Sequence, residues 1–195
     1  MAQVEVAEAS RSQLAEYAAV PIAFRGNSVY RVNAVDEGLG GFRMTEERVE
    51  PFEKNHDALE TPQDWPERFD LSRWGIFLAR ADGAVVGGAA VAFDTSDVLM
   101  LEGRRDVSCL WDLRVRPEWR GKGVGFALFQ EAVRWSKTRG CRWMKVETQN
   151  NNVQACRFYV RQGCCLGRID LHAYDRVPAC ADEVMLIWYC DLEGA

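Results

Sequence analysis

Histidine is almost missing from this chain. His56 and His172 are the only two, and neither is spaced to share a metal with a second ligand. The seven cysteines, Cys109, Cys141, Cys156, Cys164, Cys165, Cys180 and Cys190, include no Cys-x-x-Cys pair. A zinc site, a thiol redox centre and a Cys-His nucleophile all lack support, so no metal is expected and the thiols read as reduced core residues. No apolar run reaches the ~18 residues of a spanning helix, and Met1-Ala-Gln-Val-Glu lacks the basic start of a secretory signal. The protein is therefore expected to be cytoplasmic, with no membrane partner. Positive charge is also in deficit: 24 Lys and Arg against 29 Asp and Glu leave a net −5, which argues against nucleic acid as a partner. Internal repeats, low-complexity tracts and interdomain linkers are absent. The 195 residues, 48% of them hydrophobic, suffice for a substantial core and read as one domain, 1–195.

The acidic surplus is concentrated. Between Asp36 and Asp70 eleven carboxylates face only Arg43, Arg48, Lys54 and Arg68. This segment is either a solvated face or an acidic rim that attracts a cationic acceptor.

What the chain does have is a strand that runs through a short turn into a glycine-rich helix start, Leu110-Trp-Asp-Leu-Arg-Val-Arg-Pro-Glu-Trp-Arg-Gly-Lys-Gly-Val-Gly125. Gly121, Gly123 and Gly125 bare the backbone where the unpaired N–H groups and positive dipole end of a new helix converge, which suits a phosphate. Arg120 and Lys122 are expected to add mobile positive charge. A P-loop is excluded because Lys122 is followed by Gly123 and not by Ser or Thr. The dinucleotide fingerprint Gly-x-Gly-x-x-Gly ends on Phe126 counted from Gly121, and on Leu128 counted from Gly123, so it fails too.

The remaining pattern, Arg120-x-x-Gly123-x-Gly125, resembles the coenzyme A signature of the GNAT superfamily of N-acetyltransferases. Asn152-x-x-Ala155-x-x-Phe158-Tyr159-x-x-x-Gly163-Cys164 resembles that superfamily's later motif, with Cys164 in place of its usual Phe. The resemblance covers roughly Trp74 to Leu192. Its wording, including Val146-Glu-Thr, is nearest to streptothricin-type acetyltransferases. It implies a mixed, mostly antiparallel central sheet with flanking helices, the GNAT-like fold, and acetyl-CoA as co-substrate. It also implies a small-molecule or peptide amine as acceptor, and it leaves a homodimer open because dimers are common in the family. A non-catalytic module that binds acyl-CoA as a regulatory ligand is the alternative reading.

The pattern of residues agrees with an α/β chain. Val4–Ala7 alternates weakly, Ser10–Ala19 reads as a short helix, Ser28–Val35 and Phe42–Phe52 as strands, and Thr61-Pro62 as a capped helix start. Gly75–Ala81 and Ala84–Phe93 are strands across an Asp82-Gly83 turn, and Val107–Val115 is the next strand. A helix follows the glycines and stops at Gly140. Arg142–Thr148 reads as a strand, Asn152–Gln162 as a helix, and Cys164–Tyr174 and Glu183–Cys190 as closing strands.

Acetylating an amine with a thioester needs a free amine, polarisation of the carbonyl and a proton for the departing thiolate. Tyr159, at the family's acid position, is the expected proton donor, since a phenol of pKa ~10 is neutral at pH 7; otherwise it is a core aromatic beside Phe158. Glu147 sits where ribosomal-protein alanine acetyltransferases carry their base. Asp112 competes as base or as anchor for the acceptor ammonium, Trp111 standing where many relatives have Glu. Either carboxylate could instead be structural, paired with Arg114 or Lys145, and a water chain could take the proton. The resemblance assigns carbonyl polarisation to main-chain N–H groups of Leu113, Arg114 and Val115. It assigns cofactor contacts to Arg120, Gly121, Lys122, Gly123, Val124, Gly125 and Asn152; for Asn152 helix capping is the other role. Trp65, Phe69, Trp74, His172 and Tyr174 either line the acceptor pocket or pack.

Overall fold

The computed structural model describes residues 3–193, so Met1 and Ala2, at the start of the segment read as lacking a signal, lie outside it. Nine strands and four α-helices follow along the described chain as β1 (Val4–Glu8), α1 (Leu14–Ala18), β2 (Phe24–Ala34), β3 (Phe42–Lys54), α2 (Trp65–Arg68), β4 (Gly75–Ala81), β5 (Ala84–Phe93), β6 (Val107–Val115), α3 (Val124–Thr138), β7 (Trp143–Gln149), α4 (Val153–Arg161), β8 (Cys165–Asp170) and β9 (Met185–Asp191). No helix among the described residues is long and apolar enough to cross a membrane. The chain divides into two compact units.

The first unit takes the chain up to Ala23, then Asn55–Val146, and again from Asp191. Its strand order is β1-β4-β5-β6-β7, antiparallel up to β6 and parallel between β6 and β7. Asp82 and Gly83 both have positive φ, the two-residue turn whose twist matches a hairpin, and β4, β5 and β6 fall on the bounds read from the sequence. One core joins Leu14, Tyr17, Trp65, Leu71 and Trp74 to the strand residues Ile76, Leu78, Ala90 and Ala92. Gly88 makes room for it: a Cβ there would meet the Tyr17 ring at 2.5 Å. α3 turns Val124, Leu128, Phe129, Ala132 and Trp135 inward at helical spacing, which buries its apolar stripe.

The second unit comprises Phe24–Lys54 and Glu147–Cys190. It holds the β2-β3 ribbon and the order β7-β9-β8, β7 contributing only its last residues. α4 has nine residues, too few to be stable alone. It is capped by Asn152, whose Oδ1 accepts from Ala155 N at 3.1 Å, and it buries Val153, Cys156 and Tyr159. Asn150 acts as a fastener. Its main chain and side chain each bond both Tyr30 and Val184, in four bonds of 2.8 to 3.0 Å.

Three expectations are corrected. The helix expected from Thr61-Pro62 begins at Trp65, because Asp64 Oδ2 accepts from Thr61 N and Oγ1 and folds 61–64 into a turn first. The strand expected to reach Tyr174 stops at Asp170, whose Oδ1 takes the His172 N–H and turns the chain. Not all thiols are free: Cys164 and Cys190, opposite one another at the ends of β8 and β9, form a disulfide, and Cys165 is exposed. Cys109, Cys141, Cys156 and Cys180 are the buried thiols that were expected.

Candidate active site

In the first unit, β6 leads through a single 3-10 turn, Pro117–Trp119, to the glycines. Gly121 (φ +73°) and Gly123 (φ +87°) occupy left-handed conformations that a side chain would strain, and no atom lies within 4 Å of where their Cβ would stand. Helix bonding in α3 starts with Ala127 N to Gly123 O at 3.0 Å, so the amides of Val124, Gly125 and Phe126 precede the ladder, and no acid occupies the first turn. These main-chain donors, at the positive dipole end of α3, face open space. The expectation of mobile charge beside them is corrected for Arg120. Arg120 donates through Nε to Val115 O (3.0 Å) and through Nη2 to Ala23 O (2.7 Å), tying the strand end to the turn, and Lys122 lies over the Trp119 ring.

β6 itself changes partner along its length. It pairs with β5 as far as Val115, with a register shift at Trp111, whereas its parallel ladder with β7 runs only from Val107↔Trp143 to Leu110↔Val146. Trp111 to Val115 thus lie past the end of that ladder, which is where the Leu113–Val115 amides were expected to serve.

Asp112 and Arg114 turn into the unit and meet each other. Arg114 Nε and Nη2 donate to the two Asp112 oxygens at 2.9 and 2.7 Å, and Nη1 donates to Val20 O at 2.9 Å. Asp57 accepts from Nη1 and Nη2 at 3.3 and 3.1 Å. The Tyr17 hydroxyl donates to Asp112 Oδ1 at 2.6 Å. Burial, and after it the Asp112 charge, pushes the Tyr17 phenol far above its usual range, so it remains a donor. The Arg114 side chain is 1% exposed. Of the readings open for Asp112, the pairing with Arg114 is the one the geometry realises. Lys145 bonds Met100 O and Glu102. Tyr17 and Asp57 were missed, and no local signal marks them.

In the second unit, Glu147 is half-buried on β7. Tyr174 donates to its Oε1 at 2.6 Å and Gln149 Nε2 donates to the same oxygen at 3.3 Å. Loss of solvent raises the Glu147 carboxyl above the ordinary glutamate range, against the pull of these two donors and of the Lys54 charge. Such a shift brings a carboxylate closer to the basicity that proton abstraction needs. Tyr159 lies on the buried stripe of α4 with its ring edge-on to Phe158. Tyr174, read as pocket-lining or packing, is bonded to Glu147; His172 pairs with Asp175.

Six of the eleven carboxylates from Asp36 to Asp70 form ion pairs, Asp70 with Arg11 among them. Within the second unit Glu46 pairs with Arg157, Glu47 with Arg31 and Glu53 with Arg25; within the first, Asp57 pairs with Arg114 and Glu60 with Arg68.

The sequence profile of the Acetyltransferase (GNAT) family matches residues 42–164. A streptothricin acetyltransferase A of Bacillus subtilis (strain 168) is 36% identical over 151 residues, 77% of this chain and 80% of that protein. A streptothricin acetyltransferase of Escherichia coli is 28% identical over 177 residues, 91% of this chain and 90% of that one. Among solved structures, a nourseothricin acetyltransferase superposes with a TM-score of 0.77 at 26% identity, covering 97% of this chain and 98% of its own.

Proposed function

Because the chain belongs to the GNAT acetyltransferase family, and so is an acetyl-CoA-dependent N-acetyltransferase, we propose that it transfers the acetyl group directly to a primary amine of a small cationic molecule of the streptothricin type. The observation that carries the cofactor half of this reading is the glycine turn. Two left-handed glycines with open space above them lead into a helix whose first turn carries no acid, and these amides would hold the pyrophosphate. The acceptor class rests on the streptothricin acetyltransferases among the relatives.

In the reaction the amine nitrogen attacks the thioester carbon as its proton passes to Glu147. The carbonyl oxygen becomes an oxyanion, which main-chain N–H groups of Leu113, Arg114 and Val115 stabilise. The carbon–sulfur bond then breaks, and Tyr159 gives its proton to the thiolate. Residues 1–195 act as a single catalytic domain in this reading. Asn152 serves by capping α4 and so fixing Tyr159.

Thiol release from acetyl-CoA, measured with streptothricin and a panel of other primary amines, tests the reading. Release should depend on the amine and be fastest with streptothricin. Tyr159→Phe should lower kcat by about 10²–10⁴-fold while acetyl-CoA affinity is kept, the range for losing a general acid. Acetyl-CoA binding without release for any amine would instead support a regulatory module.

A further inference from the structure

Tyr174 belongs to no motif and no strand; it sits in the turn that follows Asp170. Its hydroxyl donates to Glu147 Oε1 at 2.6 Å and accepts from Gln149 Nε2 at 3.0 Å. Gln149 Nε2 also reaches Oε1 at 3.3 Å, so the three side chains close a ring. Both bonds to the carboxylate fall on one oxygen. A carboxylate held by one oxygen has its plane fixed, and its other oxygen is then the one presented to an incoming N–H.

We propose that Tyr174 is the positioning residue of Glu147: its hydrogen bond fixes Oε1 and so presents Oε2 to the acceptor amine. The inference rests on the reading of Glu147 as base. Two further observations support it. The phenol is pushed far up by burial and by the Glu147 charge beside it, so it remains a neutral donor across the working range. The other charged groups acting here are Lys54, which lowers the Glu147 carboxyl, and Glu183, which raises the Tyr174 phenol; they are paired with each other in a salt bridge whose two side chains are 13% and 12% exposed. With those two charges locked together, the hydrogen bond from Tyr174 is the largest influence that favours the Glu147 carboxylate against its burial.

The direction follows from which form the phenol bonds. A donor to Oε1 favours the carboxylate, so its removal raises the carboxyl pKa. A base must be deprotonated, so activity falls as pH drops through that pKa, and a higher pKa moves this acid limb upward.

The test is the pH profile of kcat/KM for the acceptor in the parent, Tyr174→Phe, Gln149→Leu and Glu147→Gln. Tyr174→Phe should move the acid limb up by about 1–2 pH units, with about 10–100-fold loss below it, and leave KM for acetyl-CoA unchanged. Gln149→Leu, which removes the longer bond, should move the limb the same way by less. Should Tyr174→Phe fail to fold, the sign of the Gln149→Leu shift decides the matter. If Glu147→Gln abolishes the limb while Tyr174→Phe overlays the parent or shifts downward, the positioning role is wrong and the base stands. If Glu147→Gln keeps the parent's limb, the base reading fails and takes the positioning role with it.

Discussion

Asp112→Asn should destabilise the protein more than it alters acceptor binding, and the magnitude can be worked from the contacts. Arg114 lies with its side chain 1% exposed and faces two acceptors on Asp112, at 2.9 and 2.7 Å. An amide of the same shape offers it one acceptor and one donor. The substitution therefore removes the counter-charge and sets an N–H against a guanidinium N–H. Removing one partner of a buried ion pair costs about 3–5 kcal/mol, because the remaining charge stays desolvated. Asp57 remains as a second, partly exposed partner, so the lower end, about 3 kcal/mol, is expected. For a chain of this length 1 kcal/mol corresponds to about 2–4 °C in Tm, giving a fall of about 6–12 °C. Thermal unfolding followed by circular dichroism measures it, alongside KM for the acceptor at a temperature where both proteins are folded. A double-mutant cycle with Arg114→Met adds a second reading, since the pair replaced together should cost less than the sum of the single changes. An unchanged Tm with a large rise in acceptor KM would refute the reasoning and make Asp112 the anchor of the substrate ammonium.

Gly123→Ala should weaken acetyl-CoA binding through the Cβ that enters the open space over the turn, and should cost about 1–2 kcal/mol of stability for its φ of +87°. Gly140→Ala pays a similar conformational cost at φ +75°, so calorimetry should show its acetyl-CoA affinity unchanged. Asn150→Ala removes the side-chain bonds to Tyr30 O and Val184 N, and about 1–3 kcal/mol should be lost; hydrogen exchange at the Val184 amide should speed up. The Cys164–Cys190 disulfide closes a 26-residue separation, for which chain entropy gives about 3–4 kcal/mol, so a reductant should lower Tm by several degrees, and Cys190→Ser should no longer respond to it.

What the sequence showed and what it hid divide by the range of the forces involved. The hairpin at Asp82-Gly83 and the glycine turn were legible because each is set by the conformation that two or three adjacent residues can adopt. The errors at Thr61 and at Tyr174 were local too. In each, one aspartate, Asp64 or Asp170, offered the main chain a hydrogen bond that competed with a helix start or a strand continuation, and periodicity does not register such a bond. The chemistry is another matter. Asp112 reads as an available carboxylate until Tyr17, 95 residues away, and Asp57, 57 residues from Arg114, are brought in around it. Glu147 was found by its place before a motif, yet its donor Tyr174 lies 27 residues further on, in a turn that was read as strand. A carboxylate's type and position can be inherited from a motif. Its ionisation depends on the donors and charges that folding places beside it: of two candidate bases read from one sequence, Asp112 stands against Arg114 and Tyr17, and Glu147 has its pKa raised by burial.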